Sequence, residues 1–447
     1  MTIPLSPEFI SRIKISLGDS SEPFLKSMQE PAPISIRMNP EKKSDLFEKE
    51  EKIPWCTEGR YLAERPSFIF DPLFHAGCYY VQEASSMLNE VVLAQLNLLQ
   101  KNIKALDLCA APGGKSTHLL SLLGNKSLVV CNEVVPGRNK ILQQNLVKWG
   151  SSNAIVIQNQ PKEIGKLEQL FDLILVDAPC SGEGMFRKDV NAIREWNEQN
   201  VERCMIRQTS ILEDIIPALQ PGGLLIYSTC TYEPGENDFQ IEKLIESHDF
   251  SLVEIQNPGF GIMSTKFGLQ AYPHLVKGEG FYIAVLKKNG QPEIKNHHSR
   301  SIAPKHEAYR NYLNDFLEDA SAFTPYLIGE MLYAIPNDFY ETFQELSDKL
   351  YIRQAGICMG TLKGKDLVPS HELALSNQLR NDLPSLDLNR EDALRYLKCE
   401  SIPYNSVPPG WYTITFENFI IGWAKVVTGR INNYFPREWR ILKEIPA

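Results

Sequence analysis

The run Phe171-Asp-Leu-Ile-Leu-Val-Asp177 constrains the fold of this chain more than any other stretch. Its apolar residues are nearly continuous rather than alternating, so both faces of the strand they predict are buried. That pattern belongs to the interior of an α/β sheet. The run ends at Asp177, and Pro179, which has no amide hydrogen, stops further ladder pairing. Asp177 and Cys180 are therefore expected at the carboxyl end of a central strand, where open α/β sheets bind ligands. A second apolar strand, in Gly223-Leu-Leu-Ile-Tyr-Ser-Thr-Cys-Thr-Tyr232, leads to Cys230. Two thiols and an acid are thus predicted to meet on one sheet edge.

The flanking pattern is βαβ. Ala105–Cys109 reads as a strand, Ala110–Gly114 as a turn and Lys115–Leu123 as a helix. A strand Ser127–Glu133, a helix Arg138–Trp149 and a strand Asn153–Gln158 follow, and after the Phe171 strand one long helix is predicted over Ala192–Leu219. Leu224–Thr229 is the fifth strand, Gly235–Ser247 a helix, and Phe250–Ile255 with Phe281–Leu286 a terminal hairpin. Strands alternating with helices at this spacing predict a Rossmann-like, doubly wound parallel sheet over residues 101–289. Residues 1–100 read as a small α+β region, with a helix at Pro4–Gly18 and a strand at Pro33–Asn39. Residues 290–387 read as a polar linker, containing His297 and His298 as solvated residues, followed by a helical intermediate region at 306–350. Residues 388–447 read as a helix and then a small β-rich module, from the alternation over 410–435.

A chain of 447 residues exceeds one hydrophobic core. Its apolar runs are too short to span a bilayer, and no signal peptide is evident in residues 1–15. Nine cysteines without a Cys-x-x-Cys pair argue against a disulfide framework and against zinc. A cytoplasmic protein with reduced thiols, no membrane association and no metal is expected. With a net charge of −9, any nucleic acid must be held by local basic surface. One candidate is Lys425, Arg430, Arg437, Arg440 and Lys443, interleaved with Trp423, Tyr434, Phe435 and Trp439. The bland alternative is a small β core with solvated charges. The Arg187-Lys188-Asp189 turn, bordering the predicted edge, is better placed to guide a nucleic acid.

The turn Asp107-Leu-Cys-Ala-Ala-Pro-Gly-Gly-Lys-Ser-Thr117 is poor in side chains and heads a helix, so its backbone can approach a ligand closely. Gly114-Lys-Ser-Thr invites a phosphate-loop ATPase reading, but Cys109 stands where that motif needs its first glycine. Glu133 ends the second strand about 20 residues on, where an acid receives ribose hydroxyls. Turn and acid together indicate an adenosine-type cofactor. As for the thiols, Cys131, Cys204, Cys358 and Cys399 read as small buried hydrophobes. Cys180 and Cys230 instead follow apolar strands and precede polar turns. Two thiols suit methylation of a pyrimidine at C5: one adds to C6 and makes C5 nucleophilic, and a second group handles protons or release. Asp177 can accept from the exocyclic amine of a cytosine and, when protonated, donate to its N3. The residues alone do not order the two cysteines.

Residues 105–247 closely resemble the Nol/Nop/Sun family of S-adenosylmethionine-dependent RNA (cytosine-5) methyltransferases. The resemblance rests on Asp107–Ser116, on Asp177-Ala-Pro-Cys-Ser-Gly-Glu-Gly184 and on Ser228-Thr-Cys-Thr-Tyr-Glu-Pro-Gly-Glu-Asn237. It implies Cys230 as covalent nucleophile, Cys180 in product release and Asp177 on the base. It also implies S-adenosyl-L-methionine held by Cys109, Ala110, Ala111, Pro112, Gly113, Gly114, Lys115, Glu133, Arg138 and Asp177. Ser35–Asn39 and His75–Ser86 resemble the family's N-terminal RNA-binding portion, and Tyr272–Phe281, with His274, its last core strands. Gly356–Lys365 and the final sixty residues resemble the RsmF group, which acts on small-subunit ribosomal RNA and carries a C-terminal PUA-like module. Ribosomal RNA or the small ribosomal subunit is the implied partner. After the third strand the run is Ile157-Gln-Asn-Gln-Pro-Lys162, without the aspartate many relatives use on adenine; Asn159 or Gln160 could donate and accept there, and the adenine contact is left unassigned. A catalytically inactive RNA-binding scaffold is a further alternative, which the intact Cys180, Cys230 and Asp177 oppose.

Overall fold

The computed structural model describes residues 4–291, 307–403 and 407–444; His297 and His298 lie outside the described residues. Five parallel strands form the centre: β1 (Lys104–Asp107), β2 (Leu128–Asn132), β3 (Ala154–Ile157), β4 (Phe171–Asp177) and β5 (Leu219–Thr229). Their spatial order is β3-β2-β1-β4-β5. This is the expected Rossmann-like arrangement, with β4 central. Residues Leu173 to Val176 of β4 are at most 1% exposed, which is why the sequence there does not alternate.

The sheet is mixed rather than wholly parallel. Beyond β5 come three antiparallel strands, β7 (Phe281–Lys288), then β6 (Gly268–Ala271) and the short Met263–Ser264. The expected hairpin partner Phe250–Leu252 does pair with β7, but only along its far end. On the opposite edge β8 (Ile352–Ala355) returns from much later in the chain and pairs antiparallel with β3.

Helix α1 (Pro7–Leu17) begins where the Ser6 side chain accepts from the Phe9 amide and Pro7 opens the first turn. Helix α2 (Ser21–Ser27) follows it directly. Helix α3 (Gly114–Leu122) leaves β1 through Gly113, whose φ of +111° only glycine adopts without strain. The single helix expected over Ala192–Leu219 is broken. A short helix Val190–Glu195 stops at Trp196, and the Asn197 side chain accepts from the Asn200 amide to start α4 (Glu198–Ile215).

Three smaller antiparallel or mixed sheets surround the core. The N-terminal one orders Glu51–Lys52, Gly59–Leu62, Ile34–Met38 and Tyr79–Val81. The stretch expected to be helical over 306–350 holds helices Arg310–Phe316 and Tyr340–Lys349, but between them the hairpin Phe323–Ile328 and Met331–Pro336. With Ile357–Lys363 and Asp366–Pro369 this hairpin makes a four-stranded sheet, so the region is α+β and not helical. The last sheet joins Ser385–Asp387, Gly410–Phe416, Phe419–Val427 and Arg430–Asn433, beside helix Arg390–Leu397. Its Trp423 and Phe435 are core residues, while Tyr434 is 38% exposed. The aromatics of the basic C-terminal stretch therefore divide: Trp423 packs against the preceding α+β region, Phe435 joins a core shared with the N-terminal region, and Tyr434 stays at the surface with Arg430, Arg437 and Arg440.

Candidate active site

Strands β4 and β5 run parallel with Asp177 opposite Ser228. The two chains leave the sheet side by side, and the Cys180 and Cys230 sulfurs come within 3.2 Å of each other. Gly184 N–H donates to the Cys230 carbonyl at 2.8 Å, and the Ser181 and Thr231 hydroxyls share a 2.9 Å hydrogen bond. Burial and the Cys230 sulfur beside it hold the Cys180 thiol well above its usual pKa, with the Cys230 contact the larger cause.

Cys230 opens onto a cavity of about 340 Å³. The turn from β1 to α3 forms one wall, with Asp107, Cys109, Ala110, Ala111, Pro112, Gly114 and Lys115. Tyr80, Gln82 and Glu83 come from the N-terminal region, and Asp177, Met185, Glu279 and Phe281 complete the lining. Lys115 Nζ lies 2.8 Å from Asp177 Oδ2 and 5.1 Å from the centre of the Phe281 ring. Burial pulls the Lys115 pKa down, but Asp177, together with Asp107, outweighs this and the net shift is upward. Asp177 Oδ1 accepts from the Ser228 hydroxyl at 2.8 Å. Each carboxylate oxygen thus keeps one acceptor site for a ligand.

Asp107 is a functional candidate that motif reading passed over. It is fully buried, its Oδ2 accepts from Ser116 Oγ at 2.6 Å, and its Oδ1 has no partner among the described residues. Burial pushes its carboxyl up to about 7. A buried orphan acceptor on a cavity wall calls for a donor from a ligand, and a cationic ammonium fits best. The apolar, backbone-rich wall beside it accommodates a flat adenosine-like body. The residues present therefore fit S-adenosylmethionine.

The ATPase reading fails on the same geometry. Ser116 is turned inward to Asp107, and the Thr117 hydroxyl donates to the Gly113 carbonyl at 2.8 Å while accepting from Arg37 Nη2 at 2.6 Å. Neither hydroxyl is presented to a phosphate or its metal ion.

Other expected residues lie outside the cavity lining. Gly113 supplies the turn but does not line the cavity. Glu133 ends β2 with one carboxylate oxygen accepting from the Val135 amide and the other 3.1 Å from Arg138, and neither residue lines the cavity. Arg138 also donates to the Ala111 carbonyl, bracing the turn. Asn159 and Gln160 are engaged elsewhere: Asn159 Oδ1 accepts from the Tyr351 amide, and Gln160 caps a short helix.

In the Arg187-Lys188-Asp189 turn expected to guide a nucleic acid, Lys188 and Asp189 are exposed but the Arg187 side chain is not. It is 3% exposed, pairs with Glu279 Oε2 at 3.0 Å and donates to the Gly278 carbonyl at 2.6 Å. Arg37, in the N-terminal segment, is likewise buried, donating to Gln82 and Thr117 and lying 4.5 Å from the Trp149 ring centre. His274 is half-buried against Phe24 and Tyr272. Of the cysteines expected in the core, Cys131 and Cys358 are buried, whereas Cys204 and Cys399 are half-buried. Cys56, Glu90 and His118, far apart in sequence, bring their ligand-type atoms within 4.8 Å of one another. Burial lowers the His118 imidazole to about 4, and the Glu90 carboxylate accepts from the Thr57 amide and hydroxyl.

Comparison with known proteins identifies three matching family models. The model described as 16S rRNA methyltransferase RsmB/F matches residues 94–287, the N-terminal domain of 16S rRNA methyltransferase RsmF matches 5–84, and the methyltransferase RsmF PUA domain matches 375–441. The ribosomal RNA small subunit methyltransferase F of Shewanella oneidensis is 30% identical, covering 98% of this chain and 97% of that protein. Its counterpart in Shewanella loihica is 29% identical over 98% of this chain and 95% of its own length. Among solved structures, a methyltransferase homolog protein from Pyrococcus horikoshii is 30% identical with a TM-score of 0.55, covering 63% of this chain and 95% of that one. NSun6 from the same organism, at 21% identity and a TM-score of 0.54, shares the fold over 64% of this chain and 99% of its own.

Proposed function

The chain belongs to the ribosomal RNA small subunit methyltransferase F family, and from that premise we propose that it methylates C5 of a cytosine in small-subunit ribosomal RNA. The observation that carries this reading is the 3.2 Å contact of Cys180 with Cys230, at the mouth of the cavity that Cys230 shares with the β1–α3 turn. A single thiol would serve many chemistries. Two in contact beside a held carboxylate match the two demands of C5 methylation, addition at C6 and later elimination.

Bound in the cavity, S-adenosyl-L-methionine supplies an electrophilic methyl group. Residues Cys109 to Pro112, Gly114 and Lys115 of the turn and the Asp107 carboxylate would hold it, and the Glu133–Arg138 pair would have to open for Glu133 to take its ribose hydroxyls. The target cytosine leaves its stack to enter the site. Asp177, braced by Lys115 and Ser228, accepts from the base's exocyclic amine and orients the ring. Cys230 as thiolate adds to C6, forming a carbon–sulfur bond and shifting the ring's electron pair to C5. C5 then takes the methyl group. Loss of the C5 proton to solvent water and departure of the Cys230 sulfur as thiolate restore the aromatic ring, and Cys180, in contact with that sulfur, assists the departure. Basic residues of the C-terminal module, Arg430, Arg437 and Arg440, track phosphates that the net-acidic chain does not attract as a whole.

The test is to incubate the full chain with tritiated methyl donor and small-subunit RNA, as free 16S RNA and as assembled subunits, without ATP. Digestion to nucleosides is expected to give label co-migrating with 5-methylcytidine. Label in another nucleoside, or a requirement for ATP hydrolysis, refutes the reading.

A further inference from the structure

Arg12 lies on α1, outside the catalytic sheet, yet its guanidinium forms ion pairs with both Glu183 and Glu233. Glu183 stands three residues after Cys180, and Glu233 three residues after Cys230. One cation therefore joins the two loops that carry the thiols, at matching distances along each.

The joint is built, not incidental. Glu183 is fully buried, and its oxygens also accept from Trp196 Nε1 at 2.8 Å and from the Tyr232 amide at 3.1 Å. The Arg12 guanidinium lies 5.2 Å from the Trp196 ring centre and 5.6 Å from that of Phe9. Below it, Phe9 and Phe24 pack edge-on or tilted against Phe186, Trp196 and Tyr232, which flank the same two loops. Without the cation, two carboxylates on adjacent loops would repel, and one of them would be a buried charge without its counter-ion. The loops would relieve this by moving apart. Lysine could hold one carboxylate as a point charge, whereas the planar arginine fork reaches both.

We propose that Arg12 is a positioning residue that sets the separation of Cys180 and Cys230, making the N-terminal helix part of the reaction apparatus. The inference rests on the two-thiol reading of the site. Its test can be made independent of methyl transfer.

The full-length, ligand-free protein is equilibrated with glutathione disulfide and glutathione. Two thiols and one glutathione disulfide give one Cys180–Cys230 disulfide and two glutathiones, and the bridged peptide is quantified by mass spectrometry. The equilibrium constant is an effective concentration that reports how closely the sulfurs are held. Arg12→Ala is expected to lower it at least tenfold and Arg12→Lys to fall between. Glu233→Gln, which keeps the side-chain shape, should lower it as well. The turnover number is expected to fall in the same order, with KM for S-adenosylmethionine unchanged within twofold. Should Arg12→Ala fail to fold, Arg12→Lys and Glu233→Gln give the reading. Equal effective concentrations in wild type and folded variants overturn the proposal, as does a loss of turnover matched by a loss of cofactor affinity. A wild-type enzyme that forms the bridge as expected but makes no 5-methylcytidine sinks the functional reading and leaves the positioning role standing.

Discussion

Cys180 and Cys230 bring their sulfurs to 3.2 Å although fifty residues separate them. The cause is register: Asp177 and Ser228 are partners on adjacent parallel strands, so the turns that follow begin side by side. The sheet, rather than either loop alone, brings the thiols together.

If Cys230 attacks and Cys180 assists departure, the two alanine variants must differ in kind. Cys180→Ala should form the RNA adduct and fail to resolve it, leaving a protein–RNA species that survives denaturing electrophoresis. Cys230→Ala should give neither adduct nor methylation. The reverse pattern would exchange the two roles.

Lys115 holds Asp177 from inside the cavity, so its removal should loosen the group that orients the base. Lys115→Met keeps the length and loses the charge. Turnover is expected to drop on the order of a hundredfold, the range of a lost positioning contact. Steady-state kinetics with saturating RNA would measure it, and unchanged turnover would remove Asp177 and its brace from the mechanism.

Gly184 sits between the two thiol loops. A Cβ there would meet the Gly280 carbonyl at 2.7 Å and the Cys230 carbonyl at 2.9 Å, both backbone atoms that cannot swing aside. Gly184→Ala should therefore cost roughly 1–3 kcal/mol of stability and depress turnover, while calorimetric binding of S-adenosylmethionine persists. Full activity in this variant would mean the loops tolerate separation.

Burial pushes the Glu236 carboxyl up to about 7 from an ordinary 4.5, with the Ser181 and Gln208 hydrogen bonds opposing the shift. The folded state thus retains a proton that the unfolded chain releases. The stabilisation is complete below about pH 4.5 and disappears as pH rises through about 7. Glu236→Gln lacks this titration. Relative to wild type, it should gain up to about 3 kcal/mol between pH 4.5 and 8 in chemical denaturation. A pH-independent difference would contradict the shift.

The central sheet was legible because β4 and its neighbours are buried on both faces and leave an unbroken apolar record. The thiol pair was legible because each cysteine terminates such a record. What escaped reading was decided by distant partners. Arg187 looks like a solvated charge on a polar turn, and only Glu279, ninety-two residues away, accounts for its burial. Arg12 and Asp107 carry no local mark of their pairing either. The helix break was written in Asn197, a strong N-cap residue, but apolar spacing on both sides concealed it. The Phe323–Pro336 hairpin was missed because a short apolar run fits strand or helix equally. Gly329, at φ +58° in the turn, was the available clue.

The pairing of β8 with β3 carries a consequence for synthesis of the chain. Until residues 352–355 leave the ribosome, the nascent molecule presents Ala154–Ile157 as an open apolar border available to any other extended peptide. The later segment covers that border once it is made, and expression of the front half alone should yield aggregates unless the border is charged or covered.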